Sequence, residues 1–243
     1  MDGRFVNPDC MRALAILGCV GCALSACGTL GQPPSADNAA EAFTSCGADG
    51  LIDDVEDGSS EIKVTDGRGG YWYTYKDQVG TIVSPPAGGQ FEMSPGGVNE
   101  SKFAAKMHVR VGYGEVVFGG MGLNLVDPRS PYDASKYKGV AFWAKKGPSG
   151  SGRVRFKIPD TSTDEQGGVC RDCSNDFGVD IELGESWQHF AFPWRRLKQL
   201  PDWGAPRPRA IKPSKIYGLQ WQVNQPGGEF DVWVDDVEFI GCD

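Results

Sequence analysis

Histidine is almost missing from this chain: His108 and His189 are the only two in 243 residues. There is no HExxH, no GxSxG, no P-loop and no GxGxxG, so the usual signatures of metalloproteases, hydrolases and nucleotide-binding enzymes are lacking. No apolar run is long enough to span a bilayer. The uncharged stretch at 13–26 has 14 residues, and a ~30 Å hydrocarbon core needs about 20. Positive charge is in deficit, with 24 Lys and Arg against 32 Asp and Glu for a net −8. That balance disfavours a phosphate-tracking surface and hence a nucleic-acid partner. From residue 51 onward no 3.6-residue apolar pattern exceeds two turns, and there is neither an internal repeat nor βαβ alternation, which excludes helical bundles, solenoids and doubly wound folds. What the chain has in excess is glycine. Its 34 glycines are about twice the usual ~7% share, without the Gly-X-Y period of collagen. With 11% aromatics, disorder is excluded as well.

The 13–26 stretch (ALAILGCVGCALSA) follows Arg12 and fits the apolar region of a secretory signal. Leu24-Ser25-Ala26-Cys27 then resembles the lipobox of bacterial lipoproteins. That resemblance implies cleavage before Cys27, acylation of Cys27 and retention at a membrane. The alternative is an ordinary signal peptide with an incidental cysteine. Met11-Arg12 makes a tidier start than residues 1–10, which carry Asp2 and Asp9, so translation is expected to begin at Met11. Gly28, rather than Asp, after the acylated cysteine favours the outer membrane if the host has two. Several acyl chains at ~0.8 kcal/mol per buried CH₂ make a stable anchor. We read 1–26 as a lipoprotein signal peptide, 27–45 as a flexible tether of small polar residues with a Pro pair, and 46–243 as the folded domain.

Four of the eight cysteines lie in the domain: Cys46, Cys170, Cys173 and Cys242. In an exported domain an even number reads as disulfides, and four allow three connectivities. The spacing favours Cys46–Cys242 at the domain's two ends and Cys170–Cys173 as a local clip. A four-cysteine zinc site lacks its second CxxC. A redox CxxC needs a helix N-terminus, whereas this one lies in a loop rich in Gly and Asp.

Short apolar or period-two runs, separated by Gly, Pro, Asp and Ser clusters, predict strands at 51–55, 70–75, 102–113, 116–126, 138–145, 153–158, 177–183, 187–192, 215–224 and 229–239. In 153–158, Val154, Phe156 and Ile158 should face inward and Arg153, Arg155 and Lys157 outward. Gly119-Gly120 within a strand suggests a bulge or a close backbone approach, and a helical turn should follow Pro193. About ten strands make an all-β, two-layer antiparallel sandwich.

The domain opens with Leu51-Ile52-Asp53-Asp54-Val55-Glu56-Asp57-Gly58 and closes with Val232-Trp233-Val234-Asp235-Asp236-Val237-Glu238-Phe239, with SWQHFAFPWRRL at 186–197 between them. This pattern resembles jelly-roll carbohydrate-binding modules of the galactose-binding-like superfold, especially the cellulosomal β-glucan-binding type. The CxxC loop and the segment 67–75 depart from that pattern. The resemblance implies that the first and last strands are antiparallel neighbours, which would place Cys46 beside Cys242. It also brings two acidic clusters together, and like charges on adjacent strands repel unless a cation sits between them. A structural Ca²⁺ is implied, with Glu56 and Asp236 as first ligands and Asp54 and Asp57 next; the alternative is carboxylates that face solvent or cap turns.

A sugar offers an apolar CH face to aromatic rings and hydroxyls to amide, carboxylate and guanidinium groups. In 216–223 the Trp221 register is apolar, which leaves Gln220 and Gln222 on the wet face. In 71–75 both faces carry rings, so Tyr71 and Tyr73 are candidate stacking residues. Trp203, in a loop, has no strand to bury it. The β-glucan-binding modules have an Asp-Tyr pair near this point, so the resemblance implies Asp202 and Trp203 as a binding pair; Arg155 is a further polar candidate. No catalytic residue is expected. A polysaccharide lyase or glycosidase is the enzymatic alternative, since 32 acids supply chance pairs. An envelope protein as partner is the third reading, because no catalytic module accompanies the domain.

Overall fold

A computed structural model describes residues 44–242. The expected signal peptide, the expected acylation site at Cys27 and nearly all of the expected tether lie outside the described residues.

Twelve strands among the described residues form two antiparallel sheets packed as a sandwich. The seven-stranded sheet contains β1 (Leu51–Asp53), β3 (Ile82–Ser84), β4 (Ser94–Pro95), β5 (Phe103–Arg110), β7 (Gly139–Lys146), β10 (Gln188–Pro193) and β12 (Glu229–Ile240). Its order is β10-β7-β12-β5-β3, with β1 paired to β12 and β4 to β5. The five-stranded sheet has the order β2-β6-β11-β8-β9: β2 (Trp72–Lys76), β6 (Gly119–Asn124), β11 (Gly218–Val223), β8 (Arg153–Ile158) and β9 (Phe177–Glu182).

The inner faces meet in an aromatic core. Trp72 and Trp221 stack with centroids 5.6 Å apart, and Phe142 meets Trp221 edge-on at 5.1 Å. Truncating a ring of this kind costs about 3–5 kcal/mol. Alternation decides which side chains go in, and β12 shows what happens when it breaks. Val232, Val234, Val237 and Phe239 are all buried, yet Val234 and Val237 are three apart where a strand's period is two. The extra residue is taken up as a bulge: the β12–β7 register shifts between Asp235 and Glu238, and Asp236 has φ +45°.

β12 is flanked by β7 and β5, and β1 joins it at the bulge. Ser45 bridges Ile240 there, and Cys46 and Cys242 pair as a disulfide with Cα atoms 5.7 Å apart. Arg68 ties the same region from inside: it donates to the Asp49 and Leu51 carbonyls at 2.9 and 3.0 Å, and its guanidinium lies over Phe239 at 5.5 Å.

The ten expected strands are present, with most ends shifted by one to three residues. β3 and β4 escape the sequence pattern because two or three residues cannot display a period. The turn after Pro193 is a 3₁₀ turn, Trp194–Arg196. Gly119-Gly120 pair regularly with β11, so the close-approach reading applies and the bulge does not. Lys157 faces outward as expected, but in a covered setting. Its side chain is only 7% exposed and pairs with Asp176 at 2.9 Å. The loop that holds the CxxC covers it.

Candidate functional site

The outer face of the five-stranded sheet is built from three alternations. On β2, Trp72 and Thr74 face the core, so Tyr71, Tyr73 and Tyr75 project outward in a row. Tyr71 is paired to Tyr73 edge-on at 6.5 Å, and Tyr73 lies 6.0 Å from Tyr75. On β6, the outward positions are Gly120, Gly122 and Asn124. On β11 they are Gln220 and Gln222, opposite the buried Trp221.

The two glycines make the depth of the site. A Cβ on Gly120 would lie 2.5 Å from the Tyr75 ring, and one on Gly122 would lie 3.1 Å from the Tyr73 hydroxyl. Without those carbons the phenols reach across β6 to the glutamines. Gln220 Nε2 donates to the Tyr73 hydroxyl at 2.8 Å, and the Tyr75 hydroxyl donates to Gln222 Oε1 at 3.4 Å. Burial pushes the Tyr73 phenol up to about 12 and the Tyr75 phenol well above its ordinary value. Both stay protonated, neutral donors at physiological pH.

Two loops wall this floor. In one, Cys170 and Cys173 are disulfide-bonded with Cα atoms 5.2 Å apart, and Asn175 follows. The Asn175 amide donates to the Leu200 and Trp203 carbonyls at 3.0 and 2.7 Å and accepts from the Leu200 N–H at 2.8 Å. It thereby fixes the second loop, on which Trp203 is 44% exposed. At the other wall the Arg129 guanidinium donates to Asp164 at 3.0 Å, to Gln166 at 2.7 Å and to Asn124 at 3.1 Å.

Floor and walls enclose a groove in three connected parts. The first, of about 770 Å³, is lined by Tyr71, Tyr73, Tyr75, Asn124, Arg129 and Gln220, among others. The second, of about 660 Å³, shares Tyr75, Asp164, Ser174 and Gln220 with it and adds Arg155, Lys157, Asp176, Trp203 and Gln222. The third, of about 580 Å³, continues past Arg155, Leu200 and Asn224. Three of the cations here have a carboxylate: Arg129 with Asp164, Lys157 with Asp176, and Arg155 with Asp180 at 3.0 Å. Asp176 Oδ1 is buried and has no hydrogen-bond partner among the described residues.

Of the residues singled out from the sequence, Tyr71, Tyr73, Arg155, Trp203, Gln220 and Gln222 line this one groove. Asp202 is exposed on the turn beside Trp203, at φ +68°, and is not among the residues lining the groove. Sequence reasoning missed Tyr75, Asn124, Arg129, Asp164 and Asp176. Tyr75 carried a signal, since it continues the alternation of Tyr71 and Tyr73, and Asn124 shares its face with Gly120 and Gly122. The other three come from loops, where no periodicity points.

The acidic seam lies elsewhere, where β1 meets β12. Asp53, which accepts from Trp72 Nε1 at 2.7 Å, is pushed up to about 7 by burial. Asp235 is likewise pushed up to about 7 by burial. Asp236 is raised by burial and by Asp54, Glu238 and Glu56. The four expected calcium ligands are partly engaged: Asp54 pairs with Lys63, Glu56 accepts from the Lys102 N–H at 2.7 Å, and Asp57 caps Ser59 at 2.8 Å. Among the described residues no three His, Cys, Asp or Glu side chains converge as a metal site. No helix among them is long and apolar enough to cross a membrane.

No family model matches the chain, and no curated protein does. Solved structures do. The chain is similar to the family 11 carbohydrate-binding module of cellulosomal cellulase Lic26A-Cel5E of Clostridium thermocellum, at 17% identity and TM-score 0.54, over 79% of this chain and 94% of that one. It is similar to the Clostridium thermocellum family 11 module in complex with a β-1,3-1,4-mixed-linked tetrasaccharide, at 17% identity and TM-score 0.55, over 79% and 95%. It is also similar to the family 30 module of the Clostridium thermocellum cellulosomal cellulase Cel9D-Cel44B, at 15% identity and TM-score 0.50, over 74% and 95%. At these identities the likeness is one of fold: the chain has the antiparallel β-sandwich of these carbohydrate-binding modules.

Proposed function

We propose that this protein is a non-catalytic carbohydrate-binding protein that takes a polysaccharide along the groove over β2, β6 and β11. The observation that carries the reading is the floor itself. A row of tyrosines lies over a glycine trough and ends on two glutamine amides, which joins apolar ring faces to neutral donors and acceptors within one groove. Sugar rings need both, and bound sugar stacking on Trp203 would add a third contact. Because Arg129, Lys157 and Arg155 of the groove are each matched by a carboxylate, it suits neutral sugar units.

A non-catalytic role is supported by where titratable groups lie. Asp164, Asp176 and Asp180 of the groove are each held by a cation, whereas the acids raised to about 7 sit at the β1–β12 seam. Both histidines belong to the other sheet, on β5 and β10. A glycan array with the wild type, Gln220→Ala and Trp203→Ala tests the reading. Binding weakened about tenfold in either variant, the equivalent of ~1.4 kcal/mol, is expected. Retention of no glycan overturns it in favour of an envelope protein partner, and release of reducing or unsaturated ends overturns it in favour of an enzyme.

Two further features belong to this proposal. Acylation at Cys27 and an outer-membrane location rest on the lipobox, and labelled palmitate incorporated by the wild type but not by Cys27→Ala is the expected result. A structural Ca²⁺ between Glu56 and Asp236, with Asp54 and Asp57, is supported by Asp236, which is raised first by burial and then by the charges of Asp54, Glu238 and Glu56. The side chains would have to turn inward to bind it. Chelation should then lower the melting temperature, and an unchanged melt removes the ion.

A further inference from the structure

The stretch 195–215 is the chain's exception in charge. It holds seven Lys and Arg and one acid, Asp202, for a net +6 in a protein of net −8. All seven cations are exposed. Three of them, Lys198, Arg207 and Arg209, line one depression of about 290 Å³ with Phe177, Gln199 and Pro208. Among the described residues none of these three stands in an ion pair. This contrasts with the groove, where Arg129, Lys157 and Arg155 each have a carboxylate.

The depression and the groove are two sides of one loop. The Lys198 carbonyl accepts from Arg155, a groove residue, at 2.8 Å, and Lys198 is bonded to Gly178 of β9 through both backbone groups at 2.9 Å. Leu200 and Trp203 face the groove, while Arg207 Nη2 reaches back to the Leu200 carbonyl at 3.4 Å. A polymer lying over Trp203 therefore leaves the groove beside three unneutralised cations. Two are guanidinium groups, whose planar donor forks match carboxylate and sulfate.

We infer that Lys198, Arg207 and Arg209 form an anion subsite next to the groove, so that the polysaccharide recognised is an acidic one, with carboxylate or sulfate substituents on otherwise neutral sugars. This inference rests on the carbohydrate-binding reading of the groove. It goes beyond that reading in naming the class of glycan.

The test uses the full chain with mixed-linked β-glucan and the carboxymethylated and sulfated derivatives of the same polymer, in affinity gels at low salt and at about 1 M salt, where the screening length is only ~3 Å. The wild type should bind at least one anionic derivative about tenfold more tightly than the neutral polymer, as expected of a few exposed charge pairs. The preferred derivative tells carboxylate from sulfate. That advantage should vanish in high salt and in the triple variant Lys198→Gln, Arg207→Gln, Arg209→Gln, which should keep the wild-type melting temperature and its affinity for neutral glucan. Equal binding of neutral and anionic polymers, or a triple variant as good as wild type, overturns the subsite and leaves the groove standing. Anionic binding unaffected by Trp203→Ala and Gln220→Ala, with no neutral binding, overturns the groove instead. Tighter retention of duplex DNA than of either anionic glucan overturns the assignment to a glycan.

Discussion

Replacing Lys157 by Met should be far more damaging than replacing Lys157 and Asp176 together. The two side chains are 7% and 4% exposed and 2.9 Å apart. At that distance and an effective dielectric constant of ~20, their attraction is roughly 6 kcal/mol. Desolvating two ions consumes most of that gain, so the pair is worth little net, while stranding one member costs about 3–5 kcal/mol. Lys157→Met and Asp176→Leu are each expected to lower the unfolding free energy by that amount in urea melts at neutral pH. The double variant should recover most of the loss, a coupling that additive surface charges do not show. Single variants that cost less than about 1 kcal/mol would refute the reasoning, because the charges would then be solvated and the CxxC loop would not cover them. The double variant also separates folding from recognition. Asp176 Oδ1 lies in the groove wall with no partner among the described residues, so a folded double variant should bind glycan more weakly than wild type.

Stability should depend on pH through the acidic seam. Asp53 and Asp235 hold their protons more tightly folded than unfolded, at about 7 against 3.8. Their contribution is whole below about pH 4 and is lost as pH rises towards about 7, up to a few kcal/mol. Asp235→Asn should flatten the melting temperature between about pH 4 and pH 7, and a slope equal to wild type would contradict this. Opening Cys46–Cys242, which closes a sequence separation of 196 residues, should cost roughly 4–5 kcal/mol on the chain-entropy account. Cys46→Ser and a matched denaturant series measure it. Gly122→Ala should impair glycan affinity by displacing Tyr73 and Gln220, and should destabilise the sheet too, because its Cβ would lie 2.6 Å from the Leu219 carbonyl. Unchanged values in both assays would show that the trough has room to spare.

Where the chain repeats, its structure was legible. The ten longer strands, the inward turn of Trp221 and the outward glutamines all follow from period two, and even the bulge in β12 is written in the misplaced spacing of Val234 and Val237. The groove floor follows from the same rule, although Tyr75 was passed over while Tyr71 and Tyr73 on the same face were recognised, and the outward face of β6 with Asn124 was not assigned. What could not be read were events between distant loops. Lys157 looks solvated in its strand and becomes buried only because the 164–176 loop folds over it. Asp202 is implied by the resemblance, through the Asp-Tyr pair of the β-glucan-binding modules, but here it sits at a left-handed turn and only the Trp203 ring reaches the groove. Arg129 and Asp164 are 35 residues apart, and no local pattern joins them.

The disulfide between Cys46 and Cys242 has a mechanical consequence. A pull on the chain at residue 45 crosses the sulfur bridge to the end of β12 without first peeling β1 away. β12 is hydrogen-bonded along both edges, to β5 and β7, so the load runs along the strand and is shared by many bonds strained together in shear. Reduction would redirect the same pull onto the three residues of β1, whose bonds give way one after another. Force spectroscopy from the N-terminal side should therefore find a higher rupture force in the oxidised protein than in the reduced one.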